Sequence, residues 1–257
     1  MSGDLISVRV LAVLGSAQDR EVLRQAAAAA SVLIDVVEAD GEGTARGLLA
    51  ANEVDIVVLD SAIPPQERAA VIKATRSTRP SAFIILVAAA ASNPAEIAAG
   101  AVGVDGTVVK PTNLDEAKAV LNRCVRVRLP SRVLVVDDSA TMRSIVRKIL
   151  SATRFRLDIF EAQEGIEALK QVRTGKFDFV FLDYNMPGLN GVETLAEIKR
   201  QYPRVEVVMM TSAQDDAVAD RARTAGATAF LKKPFYPADI EAVLHSIYGL
   251  RIPRRAG

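Results

Sequence analysis

The chain has 257 residues, 50% hydrophobic and 25% charged, with a formal net charge of +1, a balance that excludes a disordered or fibrous chain. So small a net charge gives no bulk attraction to nucleic acid or to an anionic membrane, and neither is expected as a partner. The lone Cys124 excludes an internal disulfide, the opening Met-Ser-Gly-Asp-Leu5 lacks a signal-peptide pattern, and the longest apolar run, Phe83 to Ala91, falls far short of the roughly 18 residues of a membrane span; a cytoplasmic setting is expected.

In chain order, the apolar run Val10 to Val13 predicts a strand and Asp19 to Ala30 a helix. Val54 to Asp60 is an apolar run ending in a carboxylate, the pattern of a parallel strand buried on both faces. Val108-Val109 then leads into Lys110-Pro111, and Leu114 to Cys124 predicts a helix. Pro130 stops that helix and opens a short link into a second series. There, runs near 133–136, 156–160, 178–182, 205–210 and 228–231 predict strands, while Met142 to Leu150 and Ala238 to Ile247 carry apolar residues at helical spacing.

The two series are copies. Asp60 and Asp183 stand 123 positions apart, as do Lys110 and Lys233, and Val13 and Val136. Three unrelated landmarks with one offset indicate an internal duplication without net insertion. Five strands interleaved with five helices in each copy predict an α/β class: two doubly wound parallel sheets in tandem, over residues 1–126 and 131–250, with a basic tail at 251–257. That tail is expected to be solvated.

In such sheets the working site lies at the carboxyl ends of the central strands. In the second copy, strand one ends in Asp137-Asp138, strand three in Asp183, strand four in Thr211-Ser212 and strand five in Lys233-Pro234. Converging carboxylates repel unless a cation joins them, and a hard divalent ion with oxygen ligands, Mg²⁺, suits them. The set fits phosphoryl transfer, where positioning and charge neutralisation do most of the work. Taken alone, Asp183 would read as a turn or helix-cap residue; its register with Asp137, Asp138, Thr211 and Lys233 argues otherwise.

Val-Val-Asp137-Asp138-Ser139, Leu-Asp183-Tyr-Asn-Met-Pro187-Gly-Leu-Asn-Gly191, Met-Thr211-Ser-Ala and Lys233-Pro234-Phe235 occur in this order and spacing. On these motifs the second copy resembles the receiver domain of bacterial response regulators over its whole length. The resemblance implies a flavodoxin-like (βα)5 fold and a phosphoprotein in which Asp183 takes a phosphoryl group from a histidine kinase, a histidine phosphotransfer protein or a small phosphodonor. Asp138 and Asp183 would ligate Mg²⁺ directly, Asp137 through water and Asn185 through its backbone carbonyl. Lys233, before a cis Pro234, would pair with a phosphoryl oxygen. Thr211 would turn toward the phosphoryl group and Phe230 follow it inward, although Phe230 could also be plain core packing. Lys232 is expected to be a solvated charge, Pro187 and Gly191 backbone punctuation, and His245 a surface residue of the last helix.

The first copy departs from this pattern. Leu14 and Gly15 stand opposite Asp137 and Asp138, Ala88 opposite Thr211 and Thr107 opposite Phe230; only Asp60 and Lys110 remain, and they are expected to pair with each other. The copy therefore resembles a degenerate pseudo-receiver, expected to bind a partner or form a homodimer. Its Ala26 to Ala30 and Ala88 to Ala91 stretches read equally well as docking surface or as core. The chain as a whole is expected to be a response regulator without its own output domain, not a multiple-turnover enzyme, that acts on a downstream protein target. A passive phosphate sink remains open. A haloacid-dehalogenase-type phosphatase is disfavoured, because Asn185 stands where that class carries its acid/base aspartate.

Overall fold

A computed structural model describes residues 7–30, 32–90, 102–212 and 216–252, with only the backbone of 216–219. The chain divides into two compact units, 1–129 with 248–257, and 130–247. Among the described residues no helix is long and apolar enough to cross a membrane.

The first unit runs β1 (Ser7–Val13), α1 (Ala17–Ala28), β2 (Leu33–Ala39), α2 (Glu42–Ala51), β3 (Ile56–Asp60), α3 (Pro65–Thr78), β4 (Phe83–Ala88), β5 (Gly106–Val109) and α4 (Leu114–Arg126). Its strands pair in parallel in the order β2-β1-β3-β4-β5. All five residues of β3 and all six of β4 are buried, the burial that their continuous apolar runs predict. The helix expected between β4 and β5 falls on 91–101, outside the described residues, as does Ala91. Ala26 and Ala27 belong to the core, while Ala28 and Ala29 at the end of α1 are exposed.

The second unit repeats the plan as β6 (Ser131–Val136), α5 (Ala140–Ser151), β7 (Leu157–Ala162), α6 (Gly165–Thr174), β8 (Phe179–Asp183), α7 (Gly191–Gln201), β9 (Glu206–Thr211), α8 (Asp216–Thr224), β10 (Ala229–Lys232) and α9 (Pro237–Ile247). The sheet order is β10-β9-β8-β6-β7, again all parallel. This is the two-sheet, flavodoxin-like architecture expected from the repeat. The central β8 is wholly buried, whereas edge strand β7 alternates between exposed and partly buried residues. Ser139 caps α5, its hydroxyl accepting from Met142 N, and Asn190 and Glu193 form a reciprocal capping box on α7.

Two expectations need correction. His245 is buried, 2% exposed, because the face of α9 that carries it packs on Phe155 with ring centroids 5.3 Å apart. Its Nδ1 lies 2.7 Å from the Glu241 carbonyl, where an Nδ1–H donates. The tail is not free at its first residue: Arg251, though exposed, forms an antiparallel bridge with Thr107, and Tyr248 to Ile252 group with the first unit. Residues 253–257, with the remaining tail arginines, lie outside the described residues.

Candidate functional site

Parallel strands bring their carboxyl ends to one edge, and in the second unit β6, β8, β9 and β10 deliver the candidate residues there. Asp137 and Asp183 are both buried, and the Lys233 ammonium reaches both: Nζ donates to Asp137 Oδ2 at 2.7 Å and to Asp183 Oδ1 at 2.9 Å. Asp138 is exposed, yet one carboxylate oxygen from each of Asp137, Asp138 and Asp183 lies within 4.8 Å of the others. An octahedral Mg²⁺ with bonds of about 2.1 Å sets neighbouring ligands about 3 Å apart and opposite ones about 4.2 Å, so the three carboxylates serve one ion once side chains move inward or one of them binds through water. The all-oxygen, acidic chemistry also matches a hard cation.

The surroundings set the electrostatics. Burial pushes the Asp183 carboxyl above its ordinary range; the Lys233 hydrogen bond and charge pull it back and Asp137 pushes it up again. Burial alone would drive Lys233 toward the neutral amine, but its hydrogen bonds to Asp137 and Asp183 outweigh that and hold it above the usual lysine value. The site is thus a charged, half-sequestered cluster in which one lysine balances two carboxylates.

Thr211, at the end of β9, is buried, and its carbonyl accepts from Lys233 N at 2.7 Å. Asn185 is exposed on the loop after β8, its amide donating to Ser212 Oγ at 3.4 Å. The Lys233–Pro234 peptide is cis. Phe230 is half-buried, packed against the core with the Arg223 guanidinium 5.3 Å from its ring. Lys232 is exposed, as expected of a solvated charge. Gly191 is more than punctuation: a Cβ there would lie 2.3 Å from the Asp183 carbonyl and 2.8 Å from Tyr184 Cα, so only glycine lets α7 start against the strand end that carries Asp183.

One residue packed against the acidic pair escaped the sequence reading. Arg143 on α5 is buried; its guanidinium donates to the carbonyls of Asp137 at 2.7 Å and Asp138 at 3.3 Å, and its Nε to Glu161 at 3.2 Å. It pins the backbone of the acidic pair. The signal lay in the repeat, since Arg20, 123 positions earlier, likewise donates to the carbonyls of Leu14 and Gly15. The device persists where the carboxylates do not, which makes it a backbone clamp.

At the matching edge of the first unit, Lys110 Nζ lies 2.8 Å from Asp60, the expected pair. Asp19, from the first turn of α1, closes on the same ammonium at 2.6 Å. Sequence reading missed this third member, because Asp19 stands opposite Met142 and outside every motif. Arg68 replaces Gly191, and its guanidinium donates to the Ser61 and Ile63 carbonyls. It ties down the loop after β3 by side-chain hydrogen bonds, where in the second unit glycine allows close backbone approach.

Residues 133–245 match the family described as response regulator receiver domain. Chemotaxis protein CheY-3 of Vibrio cholerae serotype O1 is 33% identical over 133 residues, 51% of this chain and 97% of that protein. Chemotaxis protein CheY of Thermotoga maritima is 32% identical over 116 residues, 45% of this chain and 96% of its own length. A solved two-component system response regulator/GGDEF domain protein superposes with a TM-score of 0.57 at 22% identity, over 93% of this chain and 99% of the other, a likeness of fold.

Proposed function

The chain belongs to the response regulator receiver family of two-component signalling, with two receiver-like units in tandem, and from that premise we propose that Asp183 is its phosphoacceptor. The observation that carries the reading is Lys233 bridging Asp137 and Asp183 beside the exposed Asp138. An Asp183 oxygen forms the new P–O bond as the P–N bond of a donor phosphohistidine breaks. The imidazole nitrogen keeps the electron pair and takes up a proton. Lys233 turns from the carboxylates toward the incoming phosphoryl oxygens, whose charge it offsets.

Asp137, Asp138, Asp183 and the Asn185 carbonyl would hold Mg²⁺, which when bound supplies further charge neutralisation at the phosphoryl group. Thr211 then hydrogen-bonds the phosphoryl group and Phe230 moves inward, so that a local charge changes the surface offered to a downstream protein. The acyl phosphate is a held state and not a turnover product. The first unit, with Leu14 and Gly15 in place of the acidic pair, stays unphosphorylated and serves as a binding or dimerisation module.

Acetyl-phosphate labelling with Mg²⁺, followed by mass mapping, tests the reading. Wild type and Asp60→Asn should carry one label at Asp183, and Asp183→Asn none. Label in the first unit, or an unmodified wild type, overturns it.

A further inference from the structure

The first unit keeps the fold of its sister copy but not all of the filling. It holds a recess walled by apolar side chains of α1, β3, β4 and α4, among them Leu23, Val58, Val87 and Ala117, with Asp19 and Lys110 at its mouth. These four apolar residues are buried. The offset of 123 accounts for the space. Where the first unit carries Val58, Val87 and Ala117, the second carries Phe181, Met210 and Ile240, each larger and fully buried. A close-packed interior keeps such a void only at a cost, so three shortened side chains around one space make it a feature of this sequence and not a gap between loops. The recess has a volume of about 80 Å³. One water needs about 10–15 Å³ of such space, so the recess matches a molecule of about five to eight non-hydrogen atoms.

The mouth is acidic. Leu14, standing where the second unit has Asp137, offers Lys110 no carboxylate, and Asp19 reaches the ammonium instead, at 2.6 Å, alongside Asp60 at 2.8 Å. Asp19 engages through Oδ2, and a carboxylate accepts about four hydrogen bonds, so Oδ1 is open to a further donor. The side chains of Asp19 and Lys110 are 27% and 26% exposed, so a charged group arriving there keeps part of its water. Beside Lys110 a second recess is lined by Asp40, Asp60 and Glu67. With the buried Arg68 near Asp60, four carboxylates stand against two cations, while Arg20 is balanced by Glu38 at 3.8 Å. The local field favours a cation and repels an anion.

We propose that this recess is a binding site for a small primary amine with an apolar chain: the chain lies among Val58, Val87 and Ala117, and the ammonium donates to Asp19 at the mouth. This deepens the reading of the first unit as a binding module, on which it rests, and is independent of the chemistry at Asp183. The walls and the mouth select together. A diamine of the same length would bury its second charge against apolar walls, and a carboxylate would meet the charge of Asp19 and Asp60.

The experiment uses the full chain, isotope-labelled and titrated with n-pentylamine, n-pentanol, pentanoate or putrescine while amide NMR shifts are followed. The amine should saturate a single site, moving the amides of Val22, Val58 and Lys110, with a Kd on the order of a few millimolar for so small a ligand. The alcohol, the carboxylate and the diamine should each bind about tenfold more weakly or worse, for want of the charge-assisted hydrogen bond or for the burial of a charge. Asp19→Asn should bring the amine down to the level of the alcohol. Ala117→Ile, which installs the side chain of the second copy, should abolish binding of both. No saturable shift, pentanoate or putrescine binding as well as the amine, or a folded Ala117→Ile that binds like wild type overturns the site. Should Ala117→Ile not fold, Val87→Met fills the recess from β4 and decides in its place. Light scattering on the same samples separates the two readings: no amine binding by a chain that self-associates overturns the amine site and leaves the module, whereas no amine binding by a monomer counts against both.

Discussion

Lys233 meets Asp183 through a 2.9 Å hydrogen bond while also holding Asp137 at 2.7 Å, so one ammonium keeps two buried carboxylates together. Their mutual repulsion is the obstacle to burying two carboxylates side by side, and Lys233 is the cation that the protein itself supplies against it. The behaviour of the site follows from how that charge is shared.

Replacing Lys233 with Met keeps the stem and removes the charge. A charge-assisted hydrogen bond is worth about 1.5–3 kcal/mol, so labelling of Asp183 by acetyl phosphate should slow about 10- to 100-fold. Timed labelling followed by mass spectrometry measures this. A rate within twofold of wild type would remove Lys233 from the reaction.

Asp138 separates the proposed metal binding from ion pairing, because it is exposed and the Lys233 ammonium bonds the other two carboxylates. Asp138→Asn should leave thermal stability within about 0.5 kcal/mol of wild type, as for an exposed substitution. The Mg²⁺ concentration for half-maximal labelling should rise by about tenfold or more, since affinity follows ligand charge. Titrating labelling against Mg²⁺ checks the second point, and chelation of the ion should abolish labelling in both proteins.

The pH dependence of stability has a definite sign at Asp183. Burial raises its folded pKa above the ordinary 3.8, so the protonated form favours the folded state. Its contribution is fully present below pH 3.8 and is lost as pH rises through the folded value. At neutral pH the charged carboxylate is therefore a cost, and Asp183→Asn should raise Tm by a few degrees while abolishing labelling. The stabilisation should fade as the pH approaches 3.8, which calorimetry at several pH values measures.

In the first unit, Lys110 keeps Asp19 when Asp60 is lost. Asp60→Asn should therefore cost about 1–2 kcal/mol, less than the 3–5 kcal/mol typical of breaking an isolated buried pair. Adding Asp19→Asn removes the remaining carboxylate, and the double variant should lose more than the two single changes together. A double-mutant cycle by chemical denaturation reads that excess, and simple additivity would show that Lys110 does not couple the two.

Gly191→Ala places a methyl 2.3 Å from the Asp183 carbonyl, and backbone must move to admit it. Overpacking of this kind costs about 1–3 kcal/mol, here at the strand end that carries Asp183. Both a lowered denaturation midpoint and slower labelling of Asp183 are expected.

The sequence by itself determined the duplication, the strands and the set of residues at their carboxyl ends. A parallel strand buried on both faces must be an unbroken apolar run, and the polar residue that ends it is written beside it, as Asp60 and Asp183 are. The offset of 123 then carried each site residue onto its counterpart, and the absence of Leu14 and Gly15 from any acidic role was legible without coordinates. Tertiary structure alone decided which groups meet across elements. Asp19 closes on Lys110 from the first turn of α1, Arg143 clamps the carbonyls of Asp137 and Asp138, His245 turns inward onto Phe155, and Tyr248 and Leu250, expected in the second copy, are buried in the first unit. Each is a side-chain contact chosen by the space that packing leaves once the sheets have formed, and no local pattern of hydrophobicity records that space.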